Sequence, residues 1–337
     1  MKNISKFKIL FRCDAGDIPE LGTGHLYRSL NIAFFLKKKF NLKKNDICFI
    51  TKTQGKFSKS LEILRKSKFS FISLNHKTKN NSIEEIKFLK RFDSKMIIID
   101  RLGKINSNFA NFISKKFDKK IILEDMSNFR NKFDLSINSL IRNVPKNKKA
   151  RIGIKYLILK IPDIKNFNFS EKNIFLFFGG YDYKNLNTKV INILNKYPIK
   201  LNLYIPEIYK KNIRSKHKII KFSMHKYYYY LYKSNIAIIS GGLTLFDSIL
   251  AEKKIICIPQ YEHQLYNAII LKKKNTIELF SKLDKKNQLN LFKVFEKIYT
   301  NINYKKKINN RQKKILNKNM ILRNYNLITR IYEKTIN

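Results

Sequence analysis

Acidic residues are scarce in this chain. Asp and Glu total 24 against 71 Lys and Arg, which leaves a formal net charge of +47 over 337 residues. Such an excess points either to a nucleic-acid or anionic-membrane partner or to compositional drift. The lysines are spread along every segment rather than gathered in one stripe, and Asn is abundant as well, which electrostatics does not require. Drift is the reading that fits, and no helix-turn-helix, zinc-finger or RNA-binding segment is visible. No specific nucleic-acid partner is therefore expected. A positive field still favours approach of an anionic substrate.

Cysteine is nearly absent. Cys13, Cys48 and Cys257 are an odd number, contain no CxxC pair and sit inside apolar runs. A complete disulfide framework is excluded, and buried free thiols in a reducing compartment are expected. Five histidines form no cluster at metal spacing, and no DxD has a neighbouring ligand set, so neither a metal nor a cofactor is expected. No apolar run reaches the length that spans a bilayer. The N-terminal MKNISKFKILFRCD is broken by Arg12 and Asp14 and reads as a first strand rather than a signal peptide. These absences predict a cytoplasmic protein without stable membrane insertion. Oligomeric state is not readable, and no repeat of solenoid period is present.

What is present is a regular alternation. Hydrophobic residues make up 44%, with 26 Phe and 18 Tyr, enough for a packed core in two domains. KILFRC (8–13), DICFIT (46–51), FSFISL (69–74), MIIID (96–100) and KIILE (120–124) read as strands separated by helical-length stretches. DLSINS (134–139) and KYLILK (155–160) are candidate edge strands. Residues 161–173 are polar, contain Pro162 and read as a linker. The alternation restarts with IFLFFGG (174–180), KLNLYI (200–205), HKIIKF (217–222), NIAIISGG (235–242), KIICIP (254–259) and TIELFS (276–281). Near-continuous apolar strands indicate parallel sheets covered on both faces. The predicted class is α/β, with two Rossmann-like domains facing a cleft, of the GT-B type. The first domain spans 1–163, the second 172–300, and a helical tail over 301–337 packs back across them. KYYYYLY (226–232) reads as a helix resting on a sheet rather than a base-stacking platform.

Four turns follow strands and open helices. Gly22-Thr23-Gly24-His25 lacks the third glycine of the dinucleotide fingerprint, and Arg28 lies one turn into the following helix. Such a turn brings backbone amides and a helix N-terminus to a ligand, and His25 stands at the strand edge where ligands bind in open α/β sheets. A neutral imidazole there suits base work near pH 7. Arg28 either touches ligand or braces the first helix against an acid such as Asp14. Ser240-Gly241-Gly242-Leu243-Thr244 is a second such turn, suited to a diphosphate, and Asp247 one turn on could accept ribose hydroxyls. Gly179-Gly180 forms a third. The fourth opens on Pro259, and its helix carries His263, Gln264 and Asn267, with His263 and Asn267 on one face.

Taken together, these motifs resemble the GT-B superfamily, and within it the UDP-sugar hydrolases of pseudaminic acid biosynthesis. The family's Arg-x-Asp start and Gly-x-Gly-His-x-x-Arg turn are matched by Arg12, Asp14, Gly22, Gly24, His25 and Arg28. Its FGGSDP-like turn is matched by Phe178 to Tyr183, its G-x-x-Y-x-L-L-R segment by Gly153 to Lys160, and its nucleotide half by SGGLTLFD and HQLYNA. The likeness covers about residues 8–275. It implies that the second domain holds UDP and that His25 activates a water. That water attacks the anomeric carbon with inversion and without a metal, releasing UDP and the free sugar. The substrate-contacting residues are then expected among Asp14, Gly22, Gly24, Arg28, Gly179, Gly180, Gly241, Gly242, Thr244, Asp247, His263, Gln264 and Asn267. The chain departs from the pattern in a longer loop after Asp14, Tyr181 where serine is usual, Lys160 for arginine and Asp247 for glutamate. A glycosyltransferase of the same fold, like the one that adds N-acetylglucosamine to a lipid-linked peptidoglycan precursor, is the alternative.

Overall fold

The computed structural model describes residues 4–16, 21–140, 148–163, 170–209 and 214–336. Residues 17–20 of the loop after Asp14 and 164–169 of the expected linker lie outside these. The chain divides into two compact units, Met1–Lys160 with Asn319–Asn337, and Ile161–Lys318.

The first unit alternates strand and helix. It contains β1 (Ile4–Lys6), β2 (Ile9–Cys13), α1 (Gly24–Lys39), β3 (Ile47–Lys52), α2 (Ser58–Ser67), β4 (Ser70–Leu74) and α3 (Ile83–Lys90). β5 (Phe92–Asp93), β6 (Met96–Asp100), α4 (Ser107–Lys116), β7 (Lys119–Leu123), β8 (Leu135–Asn138) and β9 (Ala150–Ile152) follow. Seven strands form one sheet in the order β4-β3-β2-β6-β7-β8-β9, and β1 pairs with β5 apart from it. Every pairing in the seven-stranded sheet is parallel. β2, β3 and β6 are buried at every position, because helices cover both faces of a parallel sheet. Phe109, Ile113 and Phe117 pack with Leu10, Ile97 and Ile99 in one core cluster. Each such fully buried side chain contributes about 1.5–3 kcal/mol.

Two sequence expectations change here. DLSINS is not an edge strand: β8 is flanked by β7 and β9, and the edge belongs to the short β9. KYLILK forms no strand. Residues 154–156 make a 3₁₀ turn, and backbone carbonyls in and after it are taken by the last helix, α11 (Lys318–Ile336). Asn324 donates to the Lys155 and Leu157 carbonyls at 2.9 and 2.8 Å, and the Tyr325 hydroxyl donates to the Leu159 carbonyl at 2.9 Å. Side-chain donors thus replace the ladder that a strand would need.

The second unit comprises β10 (Asn173–Phe177), α5 (Leu186–Leu194), β11 (Asn202–Pro206), β12 (Lys218–Phe222), α6 (Tyr227–Lys233), β13 (Ile236–Ile239) and α7 (Leu243–Leu250). β14 (Lys254–Cys257), α8 (Glu262–Lys273), β15 (Glu278–Leu279), α9 (Lys285–Thr300) and α10 (Ile302–Ile315) complete it. Its six strands run in the order β12-β11-β10-β13-β14-β15, all parallel. Tyr227 of α6 sets its ring edge-on against Phe175 and Phe177, so the tyrosine run is a helix resting on the sheet. The stretch after residue 300 is shared out: α10 stays with the second unit, and residues 319–337 join the first. All three cysteines are buried and free. No helix among the described residues is long and apolar enough to cross a membrane.

In the first unit the buried charge is balanced in spite of the composition. Among the described residues, the first unit buries Arg12, Arg28, Lys52, Arg101 and Arg130 with Asp14, Glu85, Asp100, Glu124 and Asp125. Five cations meet five anions there, so the excess charge is carried at the surface, where water screens it.

Candidate active site at the carboxyl ends of the strands

In both sheets the strand order reverses beside the first long strand, between β2 and β6 and between β10 and β13. Ligands of open α/β sheets bind beyond the carboxyl ends of the strands at such a point. Most of the buried charge of the first unit stands at that edge: Arg12 and Asp14 at the end of β2, Lys52 closing β3, Asp100 closing β6 with Arg101 just after it, and Glu124 and Asp125 just beyond β7.

The Gly22–His25 turn delivers His25 to the same edge. Gly22 adopts a left-handed φ of 55°, and its carbonyl accepts from the Gly16 amide at 2.9 Å, which closes the loop before α1. α1 begins at Gly24, so His25 lies in its first turn. The imidazole Nδ1 lies 2.7 Å from Asp100 Oδ1, with the His25 side chain 17% exposed and Asp100 fully buried. Arg28 holds the same carboxylate with two prongs, Nε to Oδ2 at 2.7 Å and Nη2 to Oδ1 at 2.6 Å. Burial pushes the Asp100 carboxyl up, but Arg28 and His25 outweigh it and hold the group below its usual range. An ionised carboxylate only accepts, so the short contact requires the proton on Nδ1. The neutral ring then keeps its lone pair on Nε2.

The sequence reading missed Asp100. Its signal was the acid closing the apolar run MIIID, at the strand that neighbours β2 across the reversal. The expected pairing of Arg28 with Asp14 is also corrected. Arg28 is buried at 3% exposure and binds Asp100 and Glu124, the latter at 3.3 Å. Asp14, 2% exposed, takes Arg12 at 2.7 Å and the Lys52 amide at 2.9 Å. Arg12 also binds Glu85 at 2.6 Å. The reason is geometric: Asp14 and Arg12 leave one strand two residues apart, whereas Arg28 faces the end of β6. Both residues therefore brace the edge rather than present free polar atoms to a substrate.

In the second unit the Gly241–Gly242 turn sits at the start of α7, with Gly242 as its N-cap. A side chain on Gly241 would place its Cβ 2.4 Å from the Gln264 carbonyl oxygen, so glycine is required there by the close approach of α8. The two helix starts are thus packed together, and the first-turn amides of α7 form a site suited to an anion. Thr244 is buried in that turn at 8% exposure. Gln264, also buried, accepts from the Gln260 amide at 2.9 Å. Gln260 in turn ties this turn to the Gly179–Gly180 turn by donating to the Phe178 carbonyl. Tyr209, absent from the sequence reading, closes that turn: its hydroxyl accepts from the Phe178 amide at 2.8 Å and donates to the Gly179 carbonyl at 2.7 Å. A Cβ on Gly180 would meet nothing within 4 Å.

Two expectations about this unit are revised. His263 and Asn267 do not share surroundings. His263 is exposed and its ring stacks on Tyr261 at 5.7 Å, whereas Asn267 is buried with Gln264, and its Oδ1 has no partner among the described residues. Asp247 turns inward. It is 7% exposed and accepts from the Tyr227 and Tyr228 hydroxyls at 3.1 and 3.3 Å. Burial pushes its carboxyl up to about 7. Such a group fits a capped interior acid better than a ribose ligand. No group of three potential metal ligands is gathered among the described residues.

Comparison with known proteins gives a likeness of fold. No family model matches the chain. An uncharacterized protein of Methanocaldococcus jannaschii is 29% identical over 286 residues, covering 73% of this chain. The match spans only 54% of that relative, about half its length. Among solved structures, MurG of Acinetobacter baumannii aligns with a TM-score of 0.64 at 12% identity, covering 96% of this chain and 99% of that one. The spinosyn rhamnosyltransferase SpnG complexed with thymidine diphosphate gives 0.62 at 8% identity, covering 96% and 100%. A calicheamicin glycosyltransferase gives 0.61 at 9%, covering 97% and 98%. At these identities the likeness is one of fold: two parallel-sheet α/β domains of the GT-B type.

Proposed function

We propose that the chain cleaves the anomeric C–O bond of a nucleotide-linked sugar, a UDP-linked amino or deoxy sugar of surface-glycan biosynthesis, with water as the attacking group. The observation that carries this reading is the His25–Asp100 pair at the sheet reversal, which leaves Nε2 free to take a proton. Water gives its proton to Nε2 as its oxygen bonds to the anomeric carbon. The C–O electrons leave with the diphosphate, on the side opposite the attack, so the configuration inverts. Within the second unit, the first-turn amides of α7 are oriented for the charge of a diphosphate such as that of UDP. Asp100 steadies the imidazolium formed in the step.

Transfer to an acceptor hydroxyl is the second reading, favoured by the similarity to solved glycosyltransferases. The same base serves both reactions. Incubation with UDP-, CMP- and dTDP-linked sugars, read by mass spectrometry without acceptor, separates them. Equal amounts of free sugar and nucleotide support hydrolysis. Silence that ends on adding an acceptor supports transfer, and silence in both overturns the reading.

A further inference from the structure

Behind the His25–Asp100 pair stand two more charged groups, and the geometry points to a four-membered unit. We propose that Arg28 and Glu124 are positioning residues: Arg28 keeps Asp100 ionised, Glu124 fixes Arg28, and together they hold His25 in the tautomer with its lone pair on Nε2. This inference rests on His25 acting as the base.

The argument starts from the guanidinium fork. Arg28 has donors on three nitrogens, and each is spent: Nε and Nη2 on Asp100, Nη1 on Glu124 Oε1 at 3.3 Å. Glu124 is itself anchored. Its backbone adopts a left-handed φ of 53° just beyond β7, and its carboxylate accepts from the Ser139 amide at 2.9 Å, the Ser139 hydroxyl and the Leu140 amide at 3.1 Å. A non-glycine residue held in that conformation is strained, and these bonds hold it there. The turn after β8 therefore fixes Glu124, Glu124 fixes Arg28, Arg28 fixes Asp100, and Asp100 fixes the ring.

Arg28 also decides the charge on Asp100. A fully buried carboxylate without its cation takes up a proton, because desolvation disfavours the charged form. A protonated Asp100 would donate to Nδ1, and the ring would then carry its own proton on Nε2, where it cannot accept one from water. Arg28 Nη2 lies 3.4 Å from His25 Nδ1 as well, so a ring with its lone pair on Nδ1 would find a second donor there. The orientation of Asp100 by Arg28 is what excludes that arrangement. A substrate ligand at Arg28, as the sequence alone allowed, would act differently, since its loss would weaken binding.

The test uses Arg28→Met and Glu124→Gln in the full chain, with ¹⁵N shifts of the His25 ring nitrogens and steady-state kinetics on the substrate found by screening. Arg28→Met is expected to lose the neutral Nδ1–H signature and to lower kcat by about 10²–10⁴-fold, with KM close to native. Glu124→Gln keeps the oxygen that Ser139, Leu140 and Arg28 bind but weakens the charge-assisted hold on Arg28, so it loosens the guanidinium fork while the cation stays beside Asp100. It is expected to show a mixture of tautomers and a kcat lower by about tenfold at unchanged KM. If Arg28→Met fails to fold because it strands two buried acids, the near-isosteric Glu124→Gln still decides. A native tautomer in every folded variant overturns the proposal, as does an effect confined to KM. The ring shifts remain readable if the native protein turns over no nucleotide sugar, so failure of the inference is distinct from failure of the proposed function.

Discussion

Replacing Asp247 by Asn should make the protein more stable at pH 8 than at pH 4, relative to the native chain. The carboxyl is buried against α6, and burial lifts it to about 7 from an ordinary 3.8, while the Tyr227 and Tyr228 hydroxyls pull the other way. A rise of that size corresponds to about 4 kcal/mol at most. The sign follows from proton counting. Between pH 4 and 7 the folded protein keeps a proton that the unfolded chain has released. The stability contributed by this group is complete below about pH 4 and is lost as the pH rises through 7. Asparagine has the same shape and does not titrate, so the variant escapes that loss. Denaturant unfolding of both proteins from pH 4 to 8 should show the variant's advantage growing with pH, by up to about 4 kcal/mol. Against a typical net stability of about 5–15 kcal/mol this is easily resolved. A difference between the two proteins that stays constant with pH refutes the reasoning and would mean that Asp247 is ionised and solvated, as a ribose ligand would be.

Two further changes probe the glycine turns. Gly241→Ala places a methyl 2.4 Å from the Gln264 backbone oxygen, which cannot rotate away, so a loss of about 1–3 kcal/mol and weaker UDP binding are expected, read by denaturant unfolding and calorimetry. Tyr209→Phe removes both bonds that hold the turn after β10 and strands the Phe178 amide, so unfolding should report a loss of about 1–3 kcal/mol.

Much of the fold is legible in the sequence because each strand of a covered parallel sheet must be apolar on both faces. MIIID, DICFIT and NIAIIS announce themselves in this way. β9 does not, because ARI is three residues long and carries Arg151 on the sheet edge. KYLILK misleads in the opposite direction. Leu157, Ile158 and Leu159 are buried, but the carbonyls of Lys155, Leu157 and Leu159 take their hydrogen bonds from Asn324 and Tyr325, more than 160 residues away. The candidate site divides similarly. His25 is marked by its glycine turn, whereas its partner Asp100 lies 75 residues on and only the sheet order brings the two together. The direction of Asp247 is not legible because an acid one turn into a helix can face ligand or core, and the tyrosines that it meets belong to another helix. A pattern does exist in retrospect: Asp14, Asp100 and Glu124 each close or follow an apolar strand, where an acid has no packing role.

The central claim of the proposed function is that the His25–Asp100 pair performs the chemistry. The most direct measurement is turnover and UDP affinity of His25→Ala and Asp100→Asn beside the native protein, on whichever nucleotide sugar it cleaves. Turnover should fall by about 10²–10⁴-fold in each variant while the dissociation constant for UDP stays near native. Near-native turnover by His25→Ala, or UDP affinity lost in step with activity, would contradict the account.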